Sequence, residues 1–248
     1  MMVTLHAANS PSASAVHKVA VVAELLNLFG FLSVLIRALT LAGQTLAVGG
    51  VVFMLAVARP LTLNPRQNGE GLLRSGRRLV VVSALCLAVA QVVSVSINSA
   101  VLMATAELSL GEVVGANFFV SGFVGAASSV ILALVVRKSV RFGWQAGLAL
   151  AVVIIGTSVM TSHAVSRPAD RAALAAATAL HQAAAAVWVG GLPYLLLGLR
   201  RCSDDAVREA MTRRFSRVAI VAVAVLATAG IALSSFYIDS PAAIYGTA

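Results

Sequence analysis

Residues 79–103, LVVVSALCLAVAQVVSVSINSAVLM, run from Leu79 to Met103 without one acidic or basic side chain. About 20 apolar residues in a helix cross the hydrocarbon core of a bilayer, so this stretch reads as a complete transmembrane span. Its polar residues are not scattered. Gln91, Ser94 and Asn98 fall on one helical face, a stripe expected to point into a bundle rather than at lipid. The span therefore predicts neighbours of its own kind.

Working outward, apolar runs of similar length stand at about 35–58, 117–136, 144–160, 174–199 and 218–238. With 60% hydrophobic and 11% charged residues and a mean hydropathy of +0.95, the chain is predicted to be an all-α polytopic transmembrane bundle of about six spans over 35–238. Residues 1–34 are expected to hold a tail and an interfacial helix, because Val16, Val19, Val22, Ala23, Leu26 and Phe29 recur at helical spacing opposite His17, Lys18, Glu24 and Asn27. A full span across 19–36 is the alternative. Residues 1–16 lack a basic leader and a small-residue cleavage site, so no cleaved signal peptide is expected.

A net charge of +9 would suggest nucleic acid in a water-soluble domain. Here fourteen of the 18 basic residues sit in three short stretches between spans: Arg59, Arg66, Arg74, Arg77 and Arg78; Arg137, Lys138 and Arg141; Arg200, Arg201, Arg208, Arg213, Arg214 and Arg217. That is the positive-inside pattern, which predicts a cytoplasmic face at those stretches and both chain ends outside. Cys86 and Cys202 then fall toward the reducing side, which argues against a disulfide. Residues 104–116, with Glu107 and Glu112 and no basic residue, read as an outer loop.

Further local readings follow from spacing. Arg59-Pro60 is expected to end the first span, since proline cannot continue a helix. Asn117, Ser121, Gly125 and Ser128 form a small-residue face for close helix approach. Pro168 suits a helix's first turn and Asp170 its positive end, while Gly190, Gly191 and Pro193 predict a bend further along. Arg37 reads either as a snorkelling end charge or as an internal partner for Asp170, Glu107 or Glu112.

Two of the four histidines, His163 and His181, lie on the hairpin between the runs ending near 160 and beginning near 174. Histidine is costly against lipid and is the commonest side-chain metal ligand. Met160 stands three residues before His163, on the same helical face, and a thioether beside imidazole suits copper, Cu(I) above all, rather than magnesium or calcium. His163, His181 and Met160 are thus the expected outer-face copper site, with Met103 as a weaker further ligand. A single site requires care with depth, because His181 lies roughly 10 Å inside the apolar start of its run. Met54, Cys86 and Cys202 lie where Cu(I) would emerge; for Cys86 the simpler reading is a small buried hydrophobe, and for Trp188 an aromatic packing residue.

Thr161-Ser-His-Ala, Ala179-Leu-His, Ala186-Val-Trp-Val-Gly-Gly-Leu and Arg213-Arg-Phe-Ser-Arg-Val-Ala, followed by an apolar run ending in Gly230, resemble in that order the copper resistance protein D family of bacterial inner-membrane proteins. The resemblance spans 37–248 and is sharpest over 163–230. It implies copper transport or copper resistance across the inner membrane, often with a small periplasmic copper-binding partner. The family pattern continues past Gly246-Thr247 with further helices, so the resemblance also implies a C-terminally truncated chain.

No nucleotide-binding loop, hydrolytic triad or paired catalytic carboxylates occur, and no enzyme activity is expected. Two other functions use the same residues. One is a haem-b-type electron carrier with two histidines ligating iron. The other is a non-transporting scaffold for copper-enzyme assembly.

Overall fold

A backbone amide in hydrocarbon finds no water to bond, so each apolar run must close its hydrogen bonds within itself. The computed structural model describes residues 13–62, 70–106, 108–138, 143–162 and 170–237, apart from the side chains of 13–29, 62, 70 and 237. Among these residues every element is helical: α1 (Ala13–Phe53), a π-helical turn (Met54–Ala58), α2 (Arg59–Thr62), α3 (Glu70–Ala106), α4 (Leu110–Gly115), α5 (Asn117–Lys138), α6 (Gly143–Met160), α7 (Arg171–Arg201) and α8 (Asp205–Tyr237). Six segments are long and apolar enough to cross a membrane: Gly30–Leu61, Gly71–Ala106, Asn117–Lys138, Gly143–Met160, Arg171–Arg201 and Asp205–Phe236. The chain is an all-α, multi-pass membrane bundle. His6, Arg66, Glu107, Arg141, His163, Pro168 and the tail 238–248 lie outside the described residues.

The helices extend beyond the apolar runs that announce them. α8 begins at Asp205, not near 218, and the arginine stretch is part of it. Val207, Met211 and Phe215 recur every four residues and are buried, while Arg208, Arg213, Arg214 and Arg217 stay exposed. The Asp204 carboxylate caps this helix, accepting from the Ala206 backbone N–H at 2.9 Å. Arg208 pairs with Asp205 at 3.2 Å, and Arg213 with Glu209. α3 likewise starts at Glu70, with Leu72 and Val80 buried along its first turns.

At the other end of the first span, Arg59-Pro60 does not terminate the helix as expected. The Arg59 N–H reaches back to the Met54 carbonyl, a π-helical bond, and the helix carries Pro60 on to Thr62. Upstream, α1 has no break separating an N-terminal helix from the first span.

α1 is the central post. It packs chiefly on α7 and α3, while α5 joins α3 to α6, α6 returns against α1, and α8 lies outermost on α7. The α1–α7 crossing is made backbone to backbone: a Cβ placed on Gly190 would lie 2.0 Å from the Thr45 carbonyl oxygen. The expected bend at Gly190, Gly191 and Pro193 does not interrupt α7, which is helical throughout. Those glycines instead let helices touch. Gly191 receives the Phe215 ring, whose Cε2 would lie 2.6 Å from an added Cβ, so the two motifs Trp-Val-Gly-Gly-Leu and Arg-Phe-Ser-Arg meet in space. Phe53 has ring centroids 6.0 Å from both Tyr194 and Phe215, and the Tyr194 hydroxyl donates to the Leu46 carbonyl at 3.0 Å. In lipid such packing and interhelical bonding hold helices together, since burial from water contributes little there.

Of the small-residue face expected on α5, Ser121, Gly125 and Ser128 are buried, while Asn117 at its start is exposed. The connection between α3 and α5 contains α4, closed by a capping box: Ser109 Oγ accepts from the Glu112 N–H at 3.4 Å, and Glu112 Oε2 accepts from the Ser109 N–H at 2.8 Å.

Candidate functional site

His181 stands about 15 Å along α7 from Arg171 at helical rise. It is half-buried, and its Nδ1 is shielded from solvent with no hydrogen-bond partner. The ring faces α8: a Cβ on Gly230 would be 3.7 Å from Nδ1 and 3.6 Å from Cε1. At those distances an added methyl would make ordinary van der Waals contact with the ring edge. The next residue, Gln182, points elsewhere and accepts from Gln44 Nε2 of α1 at 3.0 Å.

The remaining expected ligands are not gathered around that nitrogen. His163 lies outside the described residues. Met160 is the last residue of α6 and 38% exposed, and α6 has no substantial packing against α8, toward which His181 turns. Its carbonyl accepts from Asn117 Nδ2 at 3.4 Å. Met103, near the end of α3, is 37% exposed. Among the described residues no three of His, Cys, Asp and Glu cluster as a metal site.

On the opposite, arginine-rich side, Cys86 is exposed on α3, contrary to the buried hydrophobe expected, and Cys202 is half-buried; both are free thiols. Gln91, Ser94 and Asn98 mark only one face of α3, and the apolar remainder carries no sign of whether Cys86 packs or faces lipid. Met54 is fully buried against Gly76 and cannot receive an ion without movement. Trp188 stands 36% exposed on α7.

Arg37 is an exposed residue of α1 that nonetheless turns toward the bundle. It lines a cavity of about 580 Å³ between α1, α3, α5 and α6, together with Thr40, Gln91, Ser94, Asn98, Ser121 and Ser158, among others. The polar stripe of α3 thus points inward as its spacing predicted. Sequence reading missed Thr40 and Gln44, although with Arg37 they repeat the three-then-four spacing of Gln91, Ser94 and Asn98. Arg37 forms no ion pair among the described residues. Glu112 is engaged by Ser109, whose hydroxyl and backbone N–H hold its carboxyl below the usual carboxylate range.

Comparison of this chain with protein-family models, curated proteins and solved structures finds no match.

Proposed function

We propose that the chain is a copper-handling protein of the bacterial inner membrane, with copper as its cargo and no catalytic reaction. His181 serves as the ligand inside the bundle, and His163 and Met160, assisted by Met103, take up the ion at the outer face. The observation that carries this reading is the orphaned His181 Nδ1 opposite Gly230. A buried polar atom left unmet costs about 1–3 kcal/mol, and a lone pair held open there is what a soft cation needs. Met160 and Met103 end α6 and α3 at the same end of the bundle where α7 begins, with accessible thioethers. Spread over depth, these donors favour sequential transfer over one closed site. The arginine clusters orient that end to the periplasm, where both chain ends and a small copper-binding partner would lie.

The test is the copper content of the full chain, purified and loaded with Cu(I). His181→Ala should lose the bound ion and His163→Ala should weaken its retention; wild-type binding by the double variant would remove the reading. A Soret band in the purified protein would assign the histidines to haem instead. Copper uptake into proteoliposomes separates a transporter from an assembly scaffold.

A further inference from the structure

The cavity around Arg37 is separate from His181, which is not among its lining residues. Among the described residues its lining carries one charged group, the Arg37 guanidinium, and no carboxylate, histidine or thiol. A cation entering it would meet a positive charge with no ion-pair partner among the described residues, which argues against a copper path there. An anion would be drawn in by the same charge.

The hydrogen-bonding inventory narrows the anion's chemistry. Most hydroxyls here donate to their own helix: Thr40 to the Ile36 carbonyl at 2.8 Å, Thr157 to Ile154 at 2.9 Å and Ser162 to Val159 at 2.6 Å. They turn lone pairs, not hydrogens, to the cavity. Two buried groups have no partner at all: Ser158 Oγ, on a residue 5% exposed, and Gln91 Oε1, on a residue 7% exposed. Arg37 and Ser158 are therefore available donors, while Gln91 and the hydroxyl lone pairs are acceptors awaiting a donor. Gly125, behind the lining, lets α5 pack closely on two of these side chains, since a Cβ there would lie 2.8 Å from Gln91 Nε2 and 2.9 Å from Thr157 Oγ1.

We infer that this cavity is a binding site for a small oxyanion that carries its own O–H or N–H, such as a hydroxycarboxylate, with its anionic oxygens on Arg37 and Ser158 and its donor on Gln91. A phospholipid headgroup with a free hydroxyl presents the same chemistry from the bilayer. The inference does not depend on copper.

The experiment is ligand-observed NMR titration of the full chain in a neutral maltoside detergent with glycolate and with acetate, which differ by one hydroxyl. Glycolate should bind saturably and acetate more weakly. Arg37→Gln should weaken glycolate by about tenfold or more, as loss of a charge-assisted pair does. Ser158→Ala should weaken it severalfold while leaving the unliganded protein equally or more heat-stable, because that hydroxyl has no internal bond to lose. This second variant decides the matter if Arg37→Gln does not fold. Retention of phosphatidylglycerol by the wild type but not by Arg37→Gln in native mass spectrometry, with glycolate displaced, identifies the headgroup as occupant of the same site. Equal glycolate binding by wild type and both variants, or binding of neither probe, overturns the inference.

Discussion

Gly49 and Gly190 meet back to back: a Cβ on Gly49 would fall 2.8 Å from the Gly190 Cα and 2.2 Å from the Ala186 carbonyl oxygen. All the atoms on the far side are backbone, which cannot swing aside as a side chain can. The first and fifth spans are thus locked at a distance that only hydrogen on both Cα atoms permits.

Gly190→Ala should accordingly destabilise the bundle by about 2 kcal/mol or more, at the upper range for overpacking, despite alanine's better helix propensity. Gly156, in α6, has nothing within 4 Å of an added Cβ, and Gly156→Ala should be neutral or stabilising by up to about 1 kcal/mol. Thermal unfolding of both variants in detergent measures the contrast; equal effects would mean that helix propensity, not contact, governs these positions.

How much of this was readable in the chain depends on what each residue leaves on its own helix. Gln91, Ser94 and Asn98 declare an inward face because their neighbours on α3 are apolar, whereas Arg37 near the end of its span reads equally well as a snorkelling charge until the cavity beside it is seen. Gly190 and Gly191 were legible as special but not as what they are. A bend and a contact use the same glycine, and the partner that decides, Gly49, lies on a distant span. Helix ends were hidden for another reason. An apolar run marks where hydrocarbon begins, whereas α3 and α8 continue past it carrying arginines. Of the expected copper ligands, His181 was found on a packed helix face, while His163 falls outside the described residues.

Tyr194 is buried to 1% exposure and spends its hydroxyl on the Leu46 carbonyl of α1. Tyr194→Phe keeps the ring against Phe53 and removes that bond together with the hydroxyl's side-chain hydrogen bond with Ser83, so it should cost about 1–2 kcal/mol, the usual scale for one or two interhelical hydrogen bonds in a membrane protein. Denaturation in mixed micelles reads this directly. A loss beyond that range would show that the ring had shifted as well.

Topology is testable with the native thiols. Cys202 sits between α7 and α8 at the arginine-rich end, half-buried, its Sγ 3.8 Å from the Asp204 carbonyl. A membrane-impermeant maleimide should label it in inverted vesicles and not in intact cells. Cys86 is exposed on the flank of α3, within a membrane-spanning segment, and should stay unlabelled from either side, since a charged, impermeant reagent does not enter the hydrocarbon. Labelling of Cys202 from outside would reverse the orientation.

The capping box of α4 carries a pH dependence of defined sign. Its two Ser109 bonds favour the ionised Glu112, lowering the folded-state pKa, so the contribution to α4 is present above the ordinary glutamate range and fades as pH falls through the lowered value. Carbon-detected NMR of Glu112 should show a midpoint below that of a free glutamate. Ser109→Ala removes the hydroxyl but keeps the backbone N–H bond, so it should raise the midpoint part of the way toward the ordinary value; a midpoint already at or above that value in the wild type would mean the box is open in solution.

The bond between Gln44 and Gln182 joins residues separated by 138 positions, and both sides of the Gly49–Gly190 contact share that separation in kind. Ribosomes add about 5–20 residues per second, so α1 spends roughly 7–30 s in the bilayer before the helix that covers its glycines and its Gln44 amide has been made. Of the described spans, α1 therefore waits longest for its main neighbour. During that interval its exposed amide and bare backbone ridge are open to insertion factors, to other nascent helices and to membrane proteases, making biogenesis the stage at which changes at Gly49 or Gln44 would first be felt.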